Sequence, residues 1–147
     1  MLQKLYAFLA RAPALTGITL AVGDAGPAPG TAGLWCKGVT VLEQRENLLG
    51  TVRQRCRAEF TLRLCLPLPP GDSATAAENA ARLLALQTWV AAECAAGRAP
   101  VFGNADPARE TLRAEQGKLE RADAGGTAVY SLGIRAEYTQ LYTEETP

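Results

Sequence analysis

The stretch TVRQRCRAEFTLRLCL, residues 51–66, decides the fold. Its even positions are apolar with the single exception of Gln54, and its odd positions are mainly charged or polar. Since successive side chains of a strand point to opposite faces, this alternation predicts a β-strand with one face in the core. Sixteen residues at roughly 3.3 Å each reach about 50 Å, far beyond a common strand. Either a bulge interrupts the strand, or the hairpin that contains it projects from the domain.

The rest of the chain supplies partner strands, separated by Gly, Pro, Asn and Asp clusters that predict turns. The alternation returns near the C-terminus, and weaker apolar runs precede both long strands. The loop that follows the first strand is rich in Gly and Pro and is predicted to be flexible. In chain order, the expected segments are a strand at Ile18–Val22, the loop Gly23–Gly33, a strand within Leu34–Arg45, a turn at Asn47 and Gly50, a weak strand at Leu112–Arg121, a turn at Asp123–Gly126 and a strand at Ala128–Tyr142.

Two helices are expected. Apolar residues at helical spacing predict the first at Leu2–Ala12, ended by Pro13. The second is expected at Thr75–Ala96, capped by an upstream Asp, Ser or Thr and followed by Gly97 in left-handed geometry. Trp89 is predicted to be a core residue that packs on the sheet. The predicted buried stripes are Leu2, Leu5, Tyr6 and Leu9 in the first helix and Ala76, Ala80, Leu83, Leu84, Val90, Ala91 and Cys94 in the second.

The element order α-β-β-β-α-β-β predicts an α+β fold. The expected architecture is an antiparallel sheet with a long β-hairpin, packed against one long and one N-terminal helix. A length of 147 residues with 48% apolar and 20% charged residues is that of one globular domain. Residues 1–147 are therefore expected to form a single domain that ends in a short acidic tail, 143–147.

Composition also narrows the function. The chain contains no histidine, which removes the Ser-His and Cys-His catalytic pairs and histidine zinc sites. Neither of the glycine motifs that cradle phosphates is present, and the aspartates in loops read as turn formers. A net charge of zero, with 15 basic and 15 acidic residues, disfavours a dedicated nucleic-acid binder. We therefore expect no catalytic residue, cofactor or metal, and predict that the protein is not an enzyme.

The four cysteines, Cys36, Cys56, Cys65 and Cys94, contain no CxxC pair, which argues against a zinc ribbon. Cys56 and Cys65 are nine positions apart, so an unbroken strand points them to opposite faces. We expect four reduced thiols. The N-terminal apolar run is interrupted by Arg11, and no window has the roughly 20 apolar residues of a membrane span. The sequence thus predicts a soluble intracellular protein with no membrane contact.

Four arginines, Arg53, Arg55, Arg57 and Arg63, form a ladder along the polar side of the long strand. The guanidinium groups of the first three stand roughly 7 Å apart along one face. Three interpretations are open: a solvated face neutralised by Glu59 and by acids across the strand such as Glu43 or Glu137, a contact between subunits, or a surface for nucleic acid. The candidate subunit interface comprises Arg53, Arg55, Arg57, Glu59, Arg63, Arg135 and Glu137.

Four stretches in a fixed order carry a resemblance to a known family: LYAFLARAPAL at 5–15, RAEFTLRL at 57–64, LALQTWVAAECAAGRAP at 84–100 and AVYSLGIRAEYTQLY at 128–142. The chain resembles a family of small prophage tail-completion proteins, variously described as minor capsid or tail-terminator proteins. The Gly/Pro loop at 23–33 and the Ala-rich helix depart from the family's pattern.

The resemblance implies an α+β structural subunit that forms a ring, commonly a hexamer, on the end of a phage tail tube. Such a ring ends tube polymerisation and offers a surface to the head-side neck. It implies as partners the chain itself, the tail-tube protein, and sheath or neck proteins, with DNA only passing through the lumen. The expected location is the host cytoplasm during assembly and then the virion tail or a tail-like particle, whether contractile or flexible. Alternatives are a head–tail neck connector, another tail-completion or minor capsid protein, or a non-viral binding module.

Overall fold

The computed structural model describes residues 1–143, so the predicted tail, apart from Thr143, lies outside the described residues. Within them the chain folds as an α+β domain, as predicted, with six strands and two α-helices. Two short 3-10 turns, Pro13–Leu15 and Pro107–Arg109, connect these elements. The elements are α1 Leu2–Leu9, β1 Thr19–Val22, β2 Thr31–Glu46, β3 Val52–Pro67, α2 Ser73–Ala95, β4 Thr111–Ala114, β5 Lys118–Ala122 and β6 Thr127–Tyr142.

The strand predicted from residues 51–66 is the centre of the sheet. The strand order is β1-β2-β3-β6-β4, with β5 also paired to β6. All neighbours are antiparallel except β1 and β2. Strand β3 pairs with β6 along its full sixteen residues without a break, and the bulges lie in β2, at Cys36/Gly38 and Val41/Glu43. The long strand is therefore uninterrupted, and β6 accompanies it as far as Val52, so that only the turn at 47–51 extends beyond the three paired strands.

The core lies between the even side of β3 and the two helices. Phe60, Leu62 and Leu64 of β3 are almost fully buried, and they lie opposite residues of β6 that are also buried. Removing such side chains from water contributes about 1.5–3 kcal/mol each. The helix residues that share this core are Leu5, Phe8, Leu9, Leu83, Leu86 and Val90.

Helix α1 is shorter than expected, because it ends at Leu9 instead of Ala12. Its buried side chains are Leu5, Phe8 and Leu9, whereas Leu2 and Tyr6 are only half-buried. The Tyr6 hydroxyl donates a hydrogen bond to the carbonyl oxygen of Leu20, at 3.0 Å. This bond explains why Tyr6 stays at the margin of the core: its polar end needs a partner there.

Helix α2 begins and ends close to the prediction but buries a different face. Asp72 is its N-cap and accepts from the Thr75 backbone N–H, at 3.0 Å, and Gly97 has φ +74°. The predicted stripe residues Ala80, Leu84 and Ala91 are exposed. The buried set is Asn79, Leu83, Leu86, Val90 and Glu93.

Two polar residues explain the rotation of that buried face. The Asn79 amide donates to the Pro67 carbonyl oxygen at 2.9 Å and to the Tyr130 hydroxyl at 3.2 Å, while Glu93 pairs with Arg98. A buried polar group is tolerated when it is hydrogen-bonded in this way. Trp89 packs against the core as predicted but is only half-buried, and its ring lies 4.7 Å, centroid to centroid, from that of Phe8 in α1.

Two segment boundaries also differ from the prediction. The single strand expected at Leu112–Arg121 is two strands, β4 and β5, separated by residues 115–117, the last of which is Gly117. A Cβ there would lie 2.8 Å from Leu83 Cδ1, so α2 leaves room only for glycine. The loop predicted at 23–33 ends at Gly30, since Thr31 already pairs with β1 and β3. The flexibility of that loop stays a prediction.

Candidate functional site

The helix-free face of the sheet, called the polar face, carries all seven residues of the predicted interface. They lie on the odd side of β3 and at the matching positions of β6. Because β3 and β6 pair without a break, Arg57 faces Glu137 and Glu59 faces Arg135. Sequence alternation alone was sufficient to place them on one surface.

Most of these charges are paired within the chain. Arg57 lies 3.9 Å from Glu137, and Arg135 lies 3.5 Å from Glu59. Further pairs join Arg135 to Glu115 at 3.1 Å, and Arg63 to Glu120 and Asp24 at 3.1 and 3.7 Å. Such partly exposed pairs are each worth at most about 1 kcal/mol.

These ion pairs favour one of the three interpretations of the arginine ladder. Glu59 and Glu137, the acids expected to meet a neighbouring subunit's arginines, already have partners in their own chain. The centre of the polar face therefore agrees best with a neutralised outer surface. The subunit contact stays a prediction there, without free acids to support it.

Trp35 lies on the same face and was not singled out from the sequence as part of it. The Arg63 guanidinium stands over its ring, 5.2 Å from the centroid, in cation–π geometry. A shallow cavity of about 840 Å³ adjoins the pair. No sequence signal joins these residues, because β2 reaches β3 here past a bulge that shifts the register.

The outer part of the β2–β3 hairpin, residues 37–55, is called the arm. Val39 and Val41 continue the apolar side of the sheet here, opposite Ala58 and Cys56 of β3. The two valines are nevertheless about half exposed. A monomer rarely leaves such a group of apolar side chains open to water. The large exposed apolar residues of the arm and of the adjoining end of β6 are Val39, Val41, Leu42, Leu48, Leu49 and Tyr142.

The tip of the arm is a well-formed turn. The Asn47 side-chain oxygen accepts from the backbone N–H of Leu49 at 2.9 Å and of Thr51 at 3.0 Å. Gly50 supplies the left-handed conformation, φ +82°, that such a turn requires. This turn holds Leu48 and Leu49 at the extreme end of the molecule, 105% and 85% exposed.

Beside the tip, the polar face of the arm has an excess of positive charge. A cavity of about 500 Å³ is lined by Arg45, Arg53, Arg55 and Arg109, with Glu43 and Thr139. Arg45 and Arg53 stand directly opposite each other across the strands, an arrangement that is unfavourable for like charges.

Acids offset this charge only in part. Arg45 pairs with Glu43 at 2.6 Å, and Arg53 with Asp106. Arg55 donates to the Thr139 hydroxyl and to a backbone carbonyl instead of to an acid. Among the described residues, 1–143, the four arginines of this cavity have two acidic partners, which leaves a surplus of two positive charges there.

The sequence analysis overlooked Arg45 and Arg109. Arg45 could have been found by counting back across the Asn47–Gly50 turn, which sets it opposite Arg53. Arg109 comes from the loop before β4, and no local signal connects that loop to the hairpin.

The outward side of α2 is a second unusual surface. It is built mostly of alanines around Leu84, which is 63% exposed, and Glu78 is its only charged residue. A surface helix usually has charged residues on its outer side. The exposed residues include Ala77, Ala81, Leu84, Ala85, Thr88, Ala92 and Ala95.

The shifted pKa values all have structural causes. Hydrogen bonds from Thr75 lower the pKa of Asp72, and the hydrogen bond from Arg98 lowers the pKa of Glu93. Burial raises the pKa of Tyr138 to about 12 and also raises the pKa of Cys56. These groups serve a helix cap, an ion pair and the core, and they do not converge on one cavity.

Metal and thiol chemistry have few candidates in the part of the chain that the structure describes. In residues 1–143, no three side chains of Cys, Asp or Glu come together as a metal-binding group. Cys36 is exposed, Cys94 half-buried, and Cys56 and Cys65 buried, all as free thiols. Neither helix of the described residues is long and apolar enough to cross a membrane.

Comparisons with known proteins do not assign a family. A scan against models of protein families gave no match, and a search of curated proteins gave none either. A function for this chain is therefore argued from its surfaces, together with the resemblance of its sequence to tail-completion proteins.

Proposed function

We propose that the protein is a structural subunit that assembles with copies of itself into a ring, of six copies, which caps a phage tail tube. The observation that carries this proposal is the arm. Its tip, the turn at 47–51, extends beyond the paired strands and holds two leucines almost wholly in water. A surface of this kind is expected where another protein binds.

The energetics favour association through the arm. Each exposed Leu or Val that becomes buried contributes roughly 1.5–3 kcal/mol. Five such residues lie on the arm, two of them almost fully exposed and three about half exposed, and their burial is comparable with the cost of ordering two molecules, which is of the order of 4–15 kcal/mol. A contact between two different patches of the same chain repeats from copy to copy, so it closes into a ring or grows into a filament.

The sequence resemblance decides which assembly is proposed. Tail-terminator proteins form rings that end a tail tube and receive the neck. On this proposal the partners are the chain itself, the tail-tube protein and neck or sheath proteins, with DNA crossing the lumen. The protein then works in the host cytoplasm during assembly and afterwards in the virion tail or a tail-like particle. Such a role needs no catalytic residue, cofactor or metal.

A neck connector or other tail-completion protein is the second candidate, since it uses self-association of the same kind. The two are separated by deleting the gene from its prophage and examining the particles by electron microscopy. A terminator predicts tails of uncontrolled length that do not join heads. Tails of normal length that do not join heads favour the connector. Tails of normal length that are joined to heads would contradict both candidates. Complementation with the wild-type gene and with Leu119→Ser, which changes an exposed leucine outside the arm, is the control.

A further inference from the structure

An apolar groove lies at the end of the sheet opposite the arm. It is formed where β3 passes into α2 and where β5 turns into β6, and its volume is about 590 Å³. Proline and alanine make up half of its wall. Its apolar residues are Leu68, Pro69, Pro70, Ala76, Ala122 and Ala124.

The groove also carries charge of one sign. Of the residues that the structure describes, Asp72 and Asp123 are the charged ones that line it, and both are acidic. Both carboxylates are held in place by hydrogen bonds from the backbone, Asp72 by Thr75 at 3.0 Å and Asp123 by Thr127 at 3.1 Å. The groove therefore offers an apolar floor between two fixed negative charges.

The arm has the complementary properties. Leu48 and Leu49 form its apolar tip, and Arg45 and Arg53 follow directly behind them on the polar face. Glu46 lies opposite Val52, on the other side of the arm. The tip and the groove are thus both apolar and carry charges of opposite sign, and Arg45 and Arg53 would share the acids of the groove with Glu43 and Asp106 of their own chain.

The tip cannot reach the groove of its own chain. Val52 lies beside the tip and Pro67 beside the groove, at the two ends of β3. Sixteen residues of continuous strand hold these ends about 50 Å apart. Whatever fills the groove by this means has to come from another molecule.

We infer that the arm tip of one copy docks into the groove of the next copy, with Leu48 and Leu49 on the apolar floor and the arginines beside Asp72 and Asp123. The inference rests on the proposed self-assembly and names the two surfaces that produce it. Each copy then gives one tip and receives one, which is the head-to-tail contact from which rings are built.

Two variants test this contact at exposed positions that folding does not require. Leu48→Ser/Leu49→Ser removes the apolar tip, and Ala124→Arg fills the groove and places a positive charge between its acids. Each variant alone is expected to need at least about 100-fold more protein than the wild type to assemble. Leu119→Ser is the matched control and should assemble like the wild type. Circular dichroism checks that all variants are folded.

Mixing the two variants gives the sharpest readout, measured by light scattering after size exclusion. In an equimolar mixture, the tip variant still has an intact groove and the groove variant still has an intact tip. One molecule of each can therefore bind the other, and the resulting dimer has no further intact surface, so nothing larger should form. Normal assembly of either variant alone would overturn the docking, as would a mixture that stays monomeric where the wild type assembles. A wild type that stays monomeric up to its solubility limit would overturn it too.

The docking and the proposed function fail in different ways. If the wild type assembles and the tip variant does so equally well, the docking is wrong while the ring stands. If the mixture forms its dimer but deletion of the gene leaves tails normal and joined, the contact is right and the terminator function is wrong.

Discussion

The centre of the polar face and the arm are built from the same strand with the same alternation, yet they differ in how far their side chains are paired or buried within the chain. At the centre, Arg57 and Glu137 are 33% and 30% exposed and paired with each other. On the arm, Arg45 is 79% exposed and stands opposite another arginine, and the leucines of the tip have no cover. The charges at the centre are paired within one chain, although the Nε atoms of Arg57 and Arg135 are buried without a hydrogen-bond partner among the described residues, whereas the tip of the arm leaves two leucines in water.

The largest effect is expected from the buried core that supports both regions. Phe60→Ala removes an almost fully buried ring from the middle of β3 and should lower the free energy of unfolding by about 3–5 kcal/mol. Leu49→Ala, at the tip, should change it by less than about 0.5 kcal/mol. Urea unfolding measures both. Comparable losses would show that the arm is part of the folded core and not a free surface.

Trp89→Ala should have an intermediate effect. The indole packs on Phe8 but is only half-buried, so its removal should cost roughly half of the 3–5 kcal/mol typical of a buried aromatic. Assembly of the folded variant should be unchanged, because Trp89 lies on neither the arm nor the groove. A variant with full stability that fails to assemble would move Trp89 to an interface.

The two sets of arginines should behave differently in solution. A double-mutant cycle on Arg57→Ala and Glu137→Ala should give a coupling below about 1 kcal/mol and leave assembly unaffected. Arg45→Glu/Arg53→Glu should leave stability within about 0.5 kcal/mol but weaken assembly, and wild-type assembly should itself weaken as salt is raised. The reverse pattern would place the subunit contact at the centre of the face.

Acid should weaken the C-terminal end of α2. The Arg98 hydrogen bond lowers the pKa of Glu93 below its ordinary value of 4.5 in the folded state. A carboxylate with a lowered folded pKa contributes stability that is present above the ordinary pKa and is lost as pH falls through the folded pKa. The stability advantage of the wild type over Glu93→Gln should therefore shrink between pH 7 and pH 3 in urea titrations. A constant difference would mean that the pair contributes no charge-dependent stability.

The smallest effect concerns the thiols. Cys36, at the base of the arm, is exposed, whereas burial raises the pKa of the Cys56 thiol and keeps it protonated. Under native, non-reducing conditions, mass spectrometry should show four free thiols and rapid addition of one alkylating group, at Cys36. Loss of two pairs of hydrogens would instead reveal disulfides.

Local rules were sufficient for much of this fold. The alternation at 51–66, the turn residues Asn47 and Gly50 and the cap signals of α2 predicted the class, the hairpin and the helix ends. These rules failed where residues far apart in the sequence determine which side chains are buried. Asn79 and Glu93 look like surface residues of α2 until Tyr130 and Arg98 satisfy them, and Gly117, between β4 and β5, lies so close to Leu83 of α2 that a Cβ would crowd it.

The candidate site divides in the same way. Alternation predicted that the arginines share one face, because that depends on a single strand. It could not predict which of them are neutralised, since Glu115 follows β4, Glu120 lies in β5 and Asp106 lies in the loop before β4. The surplus of positive charge at the arm likewise depends on Arg109, which lies outside the hairpin and is not predicted by any pattern within it.

The most direct test of the central claim, that the arm is a surface for self-assembly, is the mass of the native protein in solution over a wide range of concentration. The account predicts a closed species of six copies of the 15.5 kDa chain, about 93 kDa, that gives way to monomers when Leu48 and Leu49 are both changed to Ser. A wild-type protein that remains a 15.5 kDa monomer at every concentration, with its tip leucines in water, would contradict it.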